Sequence, residues 1–215
     1  MRQIIDLATW ERRDNFSYFK DFLNPSICVT SKVCCGMSRE KAKKNGRSFF
    51  LTYLHSILKA VNEIKELRYR IEPDGVVLYD EVGVLAPIKM NKNGKFFTVR
   101  IPYHQELEVF YEEAQRIIQN IPEDGDPYDA ENNQFEDNRF DVILVSAIPD
   151  FYFTSITSTQ KHRNGSDYPL LTVGKAVERE GKTVMPIAMN VHHGFVDGFH
   201  ITDFFRRVES YLLAL

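Results

Sequence analysis

Three cysteines among 215 residues, Cys28, Cys34 and Cys35, are too few and too poorly spaced for a disulfide framework or a thiolate metal site. The odd count leaves one unpaired, and adjacent Cys34 and Cys35 do not form an ordinary disulfide. Free thiols in a reducing cytoplasm are the plain expectation, and nothing in the sequence marks one of them as a nucleophile. A charge excess is missing too. With 27 Lys+Arg against 30 Asp+Glu, the net charge of -3 gives no global field to gather nucleic acid or an acidic membrane. The longest stretch without a charged side chain, 183–196, contains Pro186, Asn190 and two histidines, so it is no membrane span, which needs about 20 mostly apolar residues. Met1-Arg2-Gln3-Ile4-Ile5-Asp6 lacks the apolar core of a signal peptide. Glycine-rich phosphate loops, internal repeats, low-complexity tracts and a domain linker are all lacking.

What is present is an ordinary globular balance, 43% hydrophobic and 27% charged, which excludes a disordered chain and predicts one domain over 1–215. Aromatics are plentiful, with 16 Phe and 10 Tyr, more than a minimal core needs. They point to a packed interface or an aromatic-lined pocket.

Periodicity predicts a helix over 10–22 capped by Thr9, a half-buried strand over 27–33, and a strongly amphipathic helix on Phe50, Leu51, Leu54, Ile57, Leu58 and Val61. Basic residues cluster at Arg39, Lys41, Lys43, Lys44 and Arg47. No stacking aromatics interleave them, so they read as a solvated helix and turn rather than a nucleic-acid patch. Strands are expected at 69–71, 76–79, 84–89 and 96–101, with Pro73-Asp74-Gly75 and Asn93-Gly94 as hairpin turns. A helix through Leu107, Phe110, Ala114, Ile117, Ile118 and Ile121 leads into an acidic loop at 122–141. Strands at 142–147, 151–156, 170–177 and 183–191 precede a closing helix at 201–215. Hairpins mixed with about four long helices define an α/β (α+β) two-layer sandwich, a mixed, largely antiparallel sheet covered by helices on one side.

The segment most informative about chemistry is His192-His193-Gly194-Phe195-Val196-Asp197-Gly198-Phe199-His200, between a long apolar strand and the last helix. Half of the chain's six histidines fall within these nine residues. Three readings stay open on the residues alone. One neutral imidazole could act as a general base near pH 7. The imidazoles and Asp197 could ligate a metal. Or Asp197-Gly198 could be a turn or helix cap, with histidines that merely satisfy buried hydrogen bonds.

His-His-x-x-x-Asp-Gly-Phe-His resembles the active-site signature of the trimeric chloramphenicol acetyltransferases, within the wider coenzyme A-dependent acyltransferases. Further matches extend along the chain. Trp10-Glu11-Arg12-Arg13-Asp14-Asn15-Phe16 is similar to the family's opening, and residues 62–70 to its Asn-x-x-x-Glu-Leu/Phe-Arg-x-x segment. Ser146-Ala147-Ile148-Pro149 resembles its Ser-Ala-x-Pro. Tyr168-Pro169-Leu170-Leu171-Thr172-Val173-Gly174-Lys175 and Met185-Pro186-Ile187-Ala188 resemble its later strands.

The resemblance implies an O-acetyltransferase that moves acetyl from acetyl-coenzyme A directly to a hydroxyl of chloramphenicol or a related acceptor, without metal. It assigns His193 as base, Ser146 as oxyanion donor and Thr172 as holder of a bridging water. Asp197 would pair with Arg12 to brace the loop rather than serve a triad, His192 would be a packed support, and His200 structural. Ser146 and Lys175 would face coenzyme A. Tyr18, Phe19, Leu23, Phe96, Thr98, Ile156 and Ser158 would line the acceptor pocket. The family's tryptophan after Ser-Ala-x-Pro is Asp150 here, and Ile156 and Ser158 are smaller and more polar than their counterparts. The resemblance also implies a homotrimer with active sites between subunits. The competing expectations are a non-catalytic ligand-binding relative, and a metal-dependent hydrolase using His192, His193, Asp197 and His200. A dihydrolipoyl acyltransferase core would be expected to follow a lipoyl domain, which this sequence does not contain.

Overall fold

A computed structural model describes residues 1–89, 94, 96–122, 140–158 and 168–214. Its main sheet runs β2 (Ser26–Cys34), β10 (Lys182–His192), β8 (Leu170–Gly174), β7 (Val142–Ile148), β5 (Gly83–Lys89), β6 (Phe96–Ile101), with β9 (Val177–Arg179) on the end of β10. β7 is parallel to both β5 and β8, and the other pairs are antiparallel. A small antiparallel sheet, unforeseen from the sequence, joins β1 (Arg2–Ile4), β4 (Gly75–Tyr79) and β3 (Tyr69–Glu72). The Pro73-Asp74-Gly75 turn closes the β3–β4 hairpin as expected, with Glu72 opposite Gly75. Asn93 and most of the acidic 122–141 loop lie outside the described residues.

Helices cover one face. α3 (Phe49–Glu63) is buried along nearly its whole length because its apolar side chains leave little polar surface, and Ser48 caps it by accepting the Leu51 N–H. It packs on α5 (Gly198–Ala214) and α4 (Leu107–Gln119), while α5 lies against β2 and α4 against β6. The basic residues fall on α2 (Gly36–Lys44) and the turn after it. Among the described residues no helix is long and apolar enough to cross a membrane.

Because side chains alternate along a strand, one set faces the helices. Ile143, Val145, Leu171, Val173, Met185, Ile187, Met189 and Val191 all enter the core cluster with Leu54, Ile57, Phe110 and Phe204. The alternate set, Ser146, Thr172 and Ala188, is brought into register across three strands on the opposite face.

Two expected elements differ. The first helix, α1, spans only Arg13–Phe19 and starts after Arg12; Thr9 instead closes a turn with Asp6. Residues 151–156 form no strand. The Phe153 ring lies against Gly174, the Phe151 carbonyl accepts the Lys175 N–H at 2.9 Å, and the Ile156 carbonyl accepts from the Cys28 thiol at 3.6 Å. This segment therefore passes from β8 to β2 over the face away from the helices.

Candidate active site

The turn after β10 carries His193. Its backbone N–H donates to the Pro25 carbonyl at 2.8 Å, and its ring stacks on Phe19 at a centroid distance of 4.3 Å. Nδ1 lies 2.9 Å from the Val196 carbonyl. A carbonyl only accepts, so Nδ1 must hold the proton and Nε2 the lone pair. The turn thereby fixes the tautomer a base needs.

His192 is held differently. Its Nδ1 accepts the Gly194 N–H at 3.0 Å, and the ring sits 4.8 Å from Phe195. Burial, with a smaller contribution from His193, lowers its pKa to about 4, so it stays neutral and packed. A Cβ on Gly194 would come within 2.8 Å of that ring, so a small residue is required there. Phe195 is buried between Phe16, stacked at 5.5 Å, Tyr69 and Trp10. This aromatic anchor has no sequence pattern of its own; only the abundance of aromatics hinted at it.

Asp197 and Arg12 meet, as the resemblance implied. Arg12 donates from one terminal nitrogen to Asp197 Oδ2 at 3.2 Å and from Nε to the Gly194 carbonyl at 3.3 Å. Its other terminal nitrogen is buried with no partner among the described residues. Asp197 also caps α5, with Oδ1 accepting the Phe199 N–H at 3.1 Å. Burial opposes its ionisation, but the Phe199 N–H and the Arg12 guanidinium favour the carboxylate, and the carboxyl lies below its ordinary range. The pair is only part-buried, with 11% and 30% of the side-chain surfaces exposed. His200 approaches the same residue, its Nδ1 3.1 Å from the Asp197 nitrogen.

Ser146 and Thr172 are register partners on β7 and β8, with Thr172 opposite Ala188 on β10. Two strand spacings and five residues of chain separate Ser146 from His193, roughly 15–20 Å, so the two do not meet within one chain. The expected acceptor residues divide as well. Tyr18 and Phe19 cluster with Phe22 beside His193, and Leu23 is exposed nearby in sequence. Phe96 and Thr98 stand on β6, four strands from β10. Ile156 adjoins Cys28, and Ser158 is half-buried just beyond it in the chain. Lys175 is exposed at the end of β8. A separate cleft of about 260 Å³ between α2 and α4 holds none of these residues.

Among the described residues no three His, Cys, Asp or Glu side chains are grouped to hold a metal. Burial drives the Cys35 thiol up to about 12, which makes it a poor nucleophile.

The mixed sheet with its histidine turn has the fold of an acyltransferase. A dihydrolipoamide acetyltransferase from Azotobacter vinelandii superposes with a TM-score of 0.64 at 13% identity, over 93% of this chain and 85% of that one. Within that class, the chain belongs to the chloramphenicol acetyltransferase family, whose family model matches residues 2–209. It is 27% identical over 208 residues to the chloramphenicol acetyltransferase of Proteus mirabilis, covering 97% of this chain and 93% of the relative. A solved structure described as a chloramphenicol acetyltransferase matches with a TM-score of 0.93 at 57% identity, over 99% of this chain and 100% of that one.

Proposed function

We propose that this chain transfers an acetyl group from acetyl-coenzyme A to a hydroxyl of chloramphenicol or a related acceptor, at sites assembled between copies of a homotrimer in the cytoplasm. The observation that carries the chemistry is the His193 tautomer, locked through Nδ1 to Val196. Nε2 takes the acceptor's hydroxyl proton while the oxygen attacks the thioester carbonyl. The Ser146 hydroxyl donates to the tetrahedral oxyanion, with Thr172 alongside to hold a water. Collapse breaks the C–S bond, and the departing thiolate recovers the proton from the imidazolium. Acetyl ester and coenzyme A thiol result, with no metal and no acyl-enzyme.

The strand register supports assembly between copies. A base and an oxyanion donor roughly 15–20 Å apart in one chain can serve one reaction only if a neighbour supplies one of them. Among the described residues, the helices cover the opposite face from the one bearing Ser146 and Thr172. Lys175, exposed at the end of β8, would meet coenzyme A. Tyr18, Phe19, Leu23, Phe96, Thr98, Ile156 and Ser158 then form the acceptor wall from two subunits. Thiol release from acetyl-coenzyme A tests the reading directly. Release that depends on chloramphenicol or another hydroxylated acceptor is expected. No release with any acceptor, while coenzyme A still binds, would leave only a binding protein.

A further inference from the structure

The histidine pair and Asp197 do not account for His200, the third residue of α5. Asp197 is the cap of that helix, its Oδ1 taking the Phe199 N–H at 3.1 Å. The Asp197 backbone N–H in turn donates to His200, its nitrogen 3.1 Å from Nδ1. At a helix start that N–H is ordinarily taken by Glu or Gln at the third position; here an imidazole takes it. If Nδ1 accepts that N–H, the ring proton must sit on Nε2. Nε2 points at Glu66, 3.6 Å from Oε2, on the short turn Lys65–Arg68 that follows α3. Asp197 Oδ1 lies equally close to Nδ1, at 3.1 Å, so the opposite tautomer is the structural alternative.

The surroundings explain an imidazole at this position. Glu66 and Asp197 both face the ring, and Glu11, paired with Lys65, stands beyond them. A glutamate at 200 would add a further carboxylate, whereas a neutral imidazole takes the N–H without adding charge. Arg12 grips the other end of the turn through the Gly194 carbonyl. The turn that carries His193 is thus held at Gly194 and again at Asp197.

We propose that His200 is a positioning residue for the base: a neutral, Nε2-protonated imidazole that ties the Asp197 backbone toward Glu66 and fixes the turn on which His193 rides. This rests on His193 being the base. The test combines two variants with ¹⁵N NMR of the histidine rings in the intact enzyme. His200→Gln keeps an acceptor for the Asp197 N–H and a donor toward Glu66; His200→Leu keeps neither. His200→Leu is expected to lower kcat about 10- to 100-fold with an unchanged KM for acetyl-coenzyme A, as misplacement of a reacting group does. It should also deprotect the Asp197 amide in hydrogen exchange. His200→Gln should restore kcat to within about threefold and restore that protection. An Nδ1-protonated ring at 200 in the wild type, or wild-type kcat in His200→Leu, overturns the proposal, as does His200→Gln behaving like His200→Leu. If His200→Leu fails to fold, the wild-type tautomer and the His200→Gln rates still decide. A parallel His193→Ala that retained turnover would instead refute the base assignment, a result that the ring tautomer and amide protection do not share.

Discussion

Replacing Asp197 with asparagine removes one charge and forces a choice. The carboxylate serves two donors with two oxygens, Oδ1 for the Phe199 N–H and Oδ2 for Arg12. Asparagine is as good a helix cap as aspartate, but it has one oxygen. If that oxygen keeps the cap, the amide NH2 group faces a guanidinium that can only donate, and Arg12 already has one terminal nitrogen without a partner among the described residues. Breaking a fully buried pair costs about 3–5 kcal/mol and an exposed pair about 0.2–1. With Asp197 30% exposed, a cost of about 1–3 kcal/mol fits between these limits. Asp197→Ala also loses the cap, a further 0.5–2 kcal/mol, roughly. In a domain of this size each kcal/mol moves Tm by about 2–4 °C, so Asp197→Asn should melt about 2–12 °C lower at fixed protein concentration. The sign with pH follows from the lowered carboxyl pKa. The stabilisation is complete above the ordinary carboxylate pKa and is lost as pH falls through the folded value, so wild type and Asp197→Asn should converge in acid. The assay is a double-mutant cycle with Arg12→Ala, read by denaturant melts at neutral pH. The double variant should lose clearly less than the sum of the singles. Additivity within about 0.3–0.5 kcal/mol would refute the bracing role of the pair.

Ser146→Ala should cut kcat by about 10²–10³ without altering the fold, the usual cost of one oxyanion donor; turnover within a few-fold of wild type would remove Ser146 from the reaction. Phe195→Ala should destabilise by about 3–5 kcal/mol in urea melts, because the ring is the hub of the Trp10, Phe16 and Tyr69 cluster; an unchanged midpoint would show that the cluster carries no load. His192 has a folded pKa of about 4, so the unfolded chain takes up its proton first as pH falls. Stability should therefore drop between about pH 6.5 and 4, by roughly 3 kcal/mol at the lower end. His192→Gln should flatten that slope, and an identical pH dependence in the two proteins would mean that His192 is protonated in the fold.

Most of the scaffold was legible from local signals. The amphipathic faces of α3 and α4, the Pro73-Asp74-Gly75 hairpin and the alternating strand β2 each depend on neighbours within a few positions, which is where periodicity and turn chemistry act. The strand expected at 151–156 failed for the opposite reason. Its backbone groups bond to Lys175 and Cys28, partners distant in sequence, and no pattern of alternation could show that. Likewise the side chain of Arg12, the residue before α1, reaches a turn 182 residues away. The histidine turn stood out by composition, and the Arg12–Asp197 contact followed from family resemblance. The Val196 carbonyl that sets the His193 tautomer, and the use of His200 in place of an acidic cap partner, depend on backbone atoms, to which side-chain motifs are blind.

Whether His193 of one subunit works with Ser146 of another is decided by mixing two crippled chains. His193→Ala and Ser146→Ala are each expected to be nearly inactive alone. When they are unfolded together and reassembled in equal amounts, random assortment places an intact His193 against an intact Ser146 at roughly a quarter of the interfaces. Recovery of about that fraction of wild-type turnover is expected. Mixed assemblies that form, as judged by exchange of differently tagged subunits, yet remain as inactive as either parent would contradict it.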